Sequence, residues 1–184
     1  MGWIAIGALV LAAVYAIGIY NGLVSLRNRS ESSWSDIDVQ LKRRYELIPN
    51  LVETVKGYAG HERATLEGVV AARGKAMQAS GAEARGAAEN GLTQALRQLF
   101  ALAEAYPELK ANQNFLELQR DLGAIEDAIQ NARRYFNAVV RDLNTKIEAF
   151  PSNLVAGAFG FVKRDYFELD SEAERSAPTV RFGG

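Results

Sequence analysis

The sequence predicts an all-α protein with an N-terminal transmembrane helix, an antiparallel helical bundle of three long helices plus a short C-terminal helix, and an extended tail. Three observations predict this fold: an uncharged apolar run opens the chain, apolar residues then recur at spacings of three and four, and a seven-residue apolar repeat follows. The predicted division is a transmembrane anchor over residues 1–21, a bundle over 22–162 and a tail over 163–184. Within the bundle, helices are expected at about 22–78, 84–106, 109–150 and 152–160.

Composition narrows the class of function before any motif is considered. The chain has 184 residues, of which 48% are hydrophobic and 23% charged, as in an ordinary globular protein with a core. A formal net charge of -1 lacks the basic surface that nucleic-acid binding needs, so no nucleic-acid partner is expected. Cysteine is absent, which excludes disulfides, cysteine-ligated zinc and a lipid-modified cysteine.

The first element is an apolar run from Trp3 to Tyr20 that contains no charged residue. A helix of this length spans about 27 Å, close to the hydrocarbon thickness of a bilayer. Trp3 and Tyr20 stand at its two ends, where aromatic rings favour the headgroup level, so both are predicted membrane-interface anchors. The lipid bilayer is therefore an expected partner.

A retained anchor is favoured over a cleaved signal peptide. The run has no basic residues before it, exceeds the usual apolar length of a signal peptide and lacks a good small-residue cleavage site. Arg27 and Arg29 follow the span, so the positive-inside rule favours a single-pass protein with a cytoplasmic domain, and an extracytoplasmic domain is the alternative.

The second element is a long amphipathic helix that contains a proline. Its apolar stripe keeps the same phase on both sides of Pro49, which predicts one kinked helix rather than two. The alternative is a short break after Leu47, with Pro49 in the first turn of a new helix. The helix is expected to end in the glycine-rich and alanine-rich stretch that begins at Gln78.

A shorter helix carries Leu92, Leu96 and Leu99 and is limited by Pro107. The next helix has a heptad seam, predicted to be either an intramolecular bundle seam or an intermolecular coiled coil; its main positions are Phe115, Leu122, Ile129, Phe136, Leu143 and Phe150. Pro151 stops that helix, and Ser152 or Asn153 caps a short apolar one. Val180 and Phe182 alternate around Arg181, as in an extended tail laid on the bundle.

Helix lengths predict an assembly surface. The helix from Trp34 to Gln78 is about 67 Å long and the one after it about 35 Å, so the second helix returns only halfway. The membrane-proximal stripe then lacks an intrachain partner, and exposed apolar patches of that kind mark interfaces. The candidate interface with a second copy, or with a membrane-protein partner, is formed by Trp34, Ile37, Leu41, Tyr45 and Ile48.

The stretch "VQLKRRYELIPNLVETVKGYA", behind an apolar N-terminus and before a closing "PTVRF", resembles the LemA family of bacterial membrane-associated proteins. The resemblance covers nearly the whole chain. It implies a helical bundle behind a membrane anchor, with no established enzymatic activity and no binding residues to transfer. Some members of the family have a lipid-anchoring cysteine where this chain has Ile19 and Tyr20, and for this chain the resemblance implies a domain outside the cytoplasm as the alternative.

No catalytic, cofactor or metal site is predicted. His61 is the single histidine, and "HERAT" lacks the second histidine of a zinc protease motif. Glycine-rich phosphate loops and a G-x-S-x-G turn are absent from the sequence. Acid pairs such as Asp36 with Asp38, or Glu46 with Glu53, are typical of solvated helix faces.

Two functions are the main candidates. One is a non-enzymatic, self-assembling membrane scaffold that organises membrane or recruits partners. The other is a regulatory adaptor or sensor that docks on a specific membrane protein, such as a protease. A hydrolase that uses a carboxylate pair is a remote third possibility.

Overall fold

A computed structural model describes residues 1–168, and over this range it is helical with no strand. The prediction of an all-α protein is therefore confirmed. The helices are α1 (Gly2–Ala59), α2 (Arg63–Gln78), α3 (Ala82–Ala103), α4 (Pro107–Lys110), α5 (Gln113–Glu148) and α6 (Ser152–Ala158). The predicted positions Val180 and Phe182 lie outside the described residues.

Helix α1 joins the apolar span to the bundle without a break. It has 58 residues and is therefore about 87 Å long. Its most apolar 18-residue window has a mean hydropathy of 2.2 and is not buried by the rest of the chain, so α1 is long and apolar enough to cross a membrane. Pro49 lies inside the helix, which confirms one helix through the proline and shows that a new helix starting there is wrong.

The prediction that this helix continues to Gln78 is wrong. It ends at Ala59, and α2 begins at Arg63. Two glycines in or next to the last turn, Gly57 and Gly60, weaken the helix there. The chain then reverses, since the Arg73 Nε of α2 donates a hydrogen bond of 2.8 Å to the Tyr45 carbonyl of α1.

The longer helices alternate in direction. Helix α2 runs antiparallel to α1, and α3 runs parallel to α1 because Arg85 pairs with Asp38 while Glu89 pairs with Arg44. Helix α5 returns antiparallel along α1 over most of its length. Together α1, α2, α3 and α5 form an up-down-up-down bundle, and α4 closes the end farthest from the span.

The predicted seam of α5 packs inside this bundle, against α1. Five of the six main heptad positions are buried, namely Phe115, Leu122, Ile129, Phe136 and Leu143. The prediction for the sixth heptad position is wrong: Phe150 is exposed because α5 ends at Glu148, before the chain reaches that position. The predicted side-chain cap of α6 is also wrong, because the Ser152 hydroxyl lies 2.6 Å from the Lys146 carbonyl at the end of α5.

Residues 161–168 run back along α5 as a non-helical segment held by two asparagines. The Asn144 amide group exchanges two hydrogen bonds of 2.9 Å with the backbone of Arg164. Asn137 does the same with Phe167, at 2.9 and 3.0 Å. Seven helical residues rise about 10.5 Å, and three extended residues cover about 10 Å, so the two spacings match. Phe167 is fully buried, so this segment completes the core.

Candidate functional site

The two predicted membrane-interface anchors lie on α1 at the ends of its apolar run. Trp3 is exposed near the N-terminus, and Tyr20 is partly covered by the aromatic rings of Phe159 and Phe161. Between them the apolar side chains of α1 are left uncovered by the rest of the chain, as in a helix surrounded by lipid.

The premise for an assembly surface on the membrane-proximal stripe of α1 is wrong. Ile37, Leu41, Tyr45 and Ile48 are buried in the core of a single chain. Trp34 is half-buried and packs on Phe136 and Phe167, with ring centroids 5.3 and 5.4 Å apart. Helix α5 packs along this stripe, the break after α1 returns α2 and α3 over it, and Phe167 of the segment 161–168 covers Trp34. These side chains are therefore occupied within one chain.

The same stretch of α1 contributes to a buried ionic cluster that the sequence did not predict. Arg44 donates to Glu89 of α3 at 3.1 Å and to the Thr93 hydroxyl at 2.8 Å, and it lies 3.4 Å from Glu126 of α5. The Arg44 side chain is 4% exposed and the Glu89 side chain 0%. Tyr45 donates its hydroxyl hydrogen to the other Glu89 oxygen. One cation on α1 thus joins two carboxylates, one on α3 and one on α5.

The surroundings of Glu89 decide its protonation. Burial raises its pKa above the usual value, against the opposing effects of the Tyr45 hydroxyl and the Arg44 cation, and the negative charge of Glu126 adds to the rise. Burial likewise raises the pKa of Tyr45, reinforced by its hydrogen bond to Glu89, so the phenol stays protonated and remains a donor. The cluster is a satisfied polar core rather than a poised acid or base.

A second ionic group lies nearer to the span. Arg85 donates to Asp38 at 2.5 Å, Lys42 reaches the same carboxylate at 3.2 Å, and the Arg85 guanidinium lies 5.6 Å from the centre of the Trp34 ring. Burial alone would raise the pKa of Asp38, but the hydrogen bonds from Lys42 and Arg85 outweigh it and hold the pKa below the usual value. This group ties the start of α3 to α1.

Pro49 is accommodated by a side chain from another helix. A proline removes the N–H that would bond the carbonyl four residues earlier, which here belongs to Tyr45. Arg73 donates to that carbonyl, at 2.8 Å. The hydrogen bond lost inside α1 is therefore replaced by one from α2, and this contact also fixes the return of α2 along α1.

Most of the acidic residues singled out in the sequence, and the single histidine, lie at the surface. Asp36, Glu46, Glu53 and His61 are exposed. Among residues 1–168, the structure brings together no group of three His, Cys, Asp or Glu side chains that would hold a metal ion. A groove of about 430 Å³ between α3 and α5 reaches Arg44 and Glu126, and its other lining residues are both apolar, such as Leu96 and Phe100, and polar, such as Arg97.

A sequence signal for the buried cluster did exist. Glu89 lies three residues before Leu92, in phase with the apolar stripe of α3 that continues through Leu96 and Leu99. A charged residue in the apolar phase of a helix indicates a buried, partnered group. Its partner Arg44 lies in a run of basic residues but carries the same signal, since it follows Leu41 by three residues and precedes Ile48 by four, whereas Arg43 lies outside this phase and is exposed.

Comparisons with known proteins give the family and several relatives. A model of the LemA family matches residues 33–182. "Magnetosome protein MamQ 2" of Paramagnetospirillum magneticum is 26% identical over 175 residues, covering 81% of this chain and 64% of that protein. "Magnetosome protein MamQ" of Magnetospirillum gryphiswaldense is 27% identical, covering 80% of this chain and 64% of that protein. "Protein LemA" of Metamycoplasma hominis is 27% identical over 164 residues, covering 86% and 73%. The chain thus spans just under two thirds of the length of these magnetosome relatives.

Proposed function

This chain belongs to the LemA family, and we propose that it is a non-enzymatic, single-pass membrane scaffold whose helical bundle self-assembles and organises the membrane or recruits partner proteins. The observation that carries the proposal is the continuity of α1, whose first third is an apolar span and whose last two thirds form one wall of the bundle. A helix without a linker transmits the orientation of the anchor to the bundle. This coupling suits a scaffold, which must hold its bundle in a fixed position relative to the bilayer.

The polar core supports a structural role. Arg44, Glu89 and Tyr45 satisfy one another within the bundle, so they specify which helices pack together rather than meeting a substrate. Buried, partnered charges of this kind favour one register of packing. The three relatives named above carry no enzyme's name, which agrees with this role.

Self-assembly is tested on the purified full chain, alone, in mild detergent and in nanodiscs, by light scattering and by counting photobleaching steps. A stable oligomer without other proteins is expected. Two exposed apolar residues on the bundle wall nearer the span, Val39 and Tyr135, are changed together to glutamate to ask whether this wall carries the association. The matched control changes Val70 and Leu116, equally exposed but nearer the far end.

The two results separate the candidate functions. Dissociation by the Val39 and Tyr135 changes alone supports assembly through the wall nearer the span. A chain that is monomeric at every concentration contradicts the scaffold and favours the alternative, a regulatory adaptor docking on a specific membrane protein such as a protease. Capture of one such protein by cross-linking in native membranes then becomes the decisive observation.

Membrane sidedness has its own test. Arg27 and Arg29 favour a cytoplasmic bundle, with the extracytoplasmic side as the alternative. The chain contains no cysteine, so Leu116→Cys at the far end of the bundle introduces a single thiol. A membrane-impermeant maleimide leaves this thiol unlabelled in intact cells if the bundle is cytoplasmic and labels it if the bundle is outside.

A further inference from the structure

Helix α6 packs against α1 where the apolar span ends. Leu23 of α1, Leu143 of α5 and Ala156 of α6 form a small buried cluster, separate from the main core. The Tyr20 ring contacts two aromatic residues of the α6 region, with centroids 4.8 Å from Phe159 and 5.8 Å from Phe161. Since Tyr20 marks the end of the span, α6 lies at the level where the span leaves the bilayer.

The end of α5 reaches the level of Tyr20. Near the end of α5 the Lys146 ammonium lies directly against Gly22. Helix α5 runs antiparallel to α1 and continues to Glu148, about 3 Å farther toward the N-terminal end of α1. The turn that carries Phe150 and leads into α6 therefore begins where the apolar run of α1 ends.

The side chains at this end of the molecule are unusually apolar and exposed. Phe150 is 81% exposed, Leu154 64%, Phe159 65% and Val162 76%. We call residues 150–162 the foot. Its exposed apolar surface is continuous with the exposed surface of α1, because Phe159 packs on Tyr20. An exposed apolar patch joined to a membrane span calls for lipid as its neighbour.

Charges are arranged as a headgroup contact requires. The Arg27 guanidinium lies 5.5 Å from the centre of the Phe161 ring, on the bundle side of the foot. Lys146 lies at the same level, and Lys163 follows directly after the foot, where it pairs with Glu148 at 2.6 Å. Basic side chains beside aromatic ones are typical of the interface between lipid tails and headgroups.

We propose that the foot inserts into the interfacial layer of the leaflet that α1 leaves, as a second membrane contact. The proposal rests on the anchoring of α1 in the membrane. Two contacts side by side fix the tilt and rotation of the bundle on the bilayer, whereas one helix alone allows the bundle to swing. The scaffold is thus held at a defined angle to the lipid surface.

Spin labels on single cysteines of the full chain in liposomes test the foot. Leu154→Cys and Phe159→Cys place labels on it, and Leu116→Cys is the matched control at the far end of α5. Leu9→Cys, in the middle of the apolar run, reports the anchor itself. For each label, collisions with oxygen, which concentrates in lipid, are compared with collisions with a nickel chelate, which stays in water.

The foot is expected to behave as lipid-contacting: labels at Leu154 and Phe159 collide more with oxygen than with nickel, and the label at Leu116 does the reverse. The proposed membrane contact of the foot is refuted if the labels at both foot positions collide with nickel as often as the Leu116 label does. If the Leu9 label is nevertheless lipid-exposed, the anchor stands and the foot alone is refuted. If the Leu9 label is also water-exposed, the membrane anchoring fails as well. Both foot positions are exposed, so unchanged helical circular dichroism is expected for these variants.

Discussion

Replacing Arg44 by methionine removes the cation that the buried Glu89 carboxylate needs. The Glu89 side chain is 0% exposed and keeps the Tyr45 hydroxyl as a partner, while Glu126, 35% exposed, then stands nearby with like charge. Breaking a buried ion pair by removing one partner costs about 3–5 kcal/mol. For a chain of this size, that is a loss of roughly 6–20 °C in Tm.

The neighbouring Arg43 provides the matched control, because it is the same residue type on the same helix and is exposed. Arg43→Met is expected to change the free energy of unfolding by less than about 0.5 kcal/mol. The double change Arg44→Met with Glu89→Gln removes both charges and is expected to recover most of the loss.

The assay is urea unfolding of the full chain at constant detergent, followed by circular dichroism. Lowering the pH shrinks the cost of Arg44→Met, because a protonated Glu89 no longer requires a cation. If Arg44→Met is no more destabilising than Arg43→Met, the ionic cluster does not hold the three helices together and the reasoning fails.

Three further outcomes are expected. Arg73→Met lowers the free energy of unfolding by about 1–3 kcal/mol when Pro49 is present, because the Tyr45 carbonyl loses the donor that replaces the missing N–H. The same change costs less in a Pro49→Ala chain, and equal costs in the two backgrounds of a double-mutant cycle would refute the replacement. Gly86→Ala displaces the segment 161–168, since the added methyl group would lie 2.4 Å from the Glu168 carbonyl oxygen, and it speeds proteolysis of that segment. Gly91→Ala, with open space around it, is the control and leaves proteolysis unchanged. The raised pKa of Glu89 makes its contribution to stability largest below its usual value of 4.5 and smaller as the pH rises through the folded-state pKa. The difference in unfolding free energy between the parent chain and Glu89→Gln should therefore fall as the pH rises above 4.5, and a constant difference contradicts this.

Periodicity predicted the elements whose partners lie along one helix face. The apolar run, the phase across Pro49 and five heptad positions of α5 needed no knowledge of the rest of the chain. The end of α1 was missed because the apolar phase continues past it: Val55 and Ala59 lead on to Leu66, and only the glycines interrupt the run.

One wrong boundary changed the interpretation of the candidate site. With α1 taken to Gln78, the stripe around Leu41 had no intrachain neighbour and predicted an interface. The turn at 60–62 brings α2 and α3 back over that stripe and α5 packs along it, so its burial follows from topology and not from the stripe itself. The Arg44–Glu89 pair is separated by 45 residues, and pairing over such a distance is set by packing of whole helices.

The proposed scaffold requires α1 to be one stiff helix from the bilayer into the bundle. A spin-label scan of residues 14–34, one cysteine at a time, with the full chain in liposomes measures this directly. For a stiff helix, label motion is restricted throughout and accessibility repeats every 3.6 residues without a change of phase. A mobile stretch without periodicity between residues 21 and 30 would show a tether in place of a rigid helix and would contradict the scaffold.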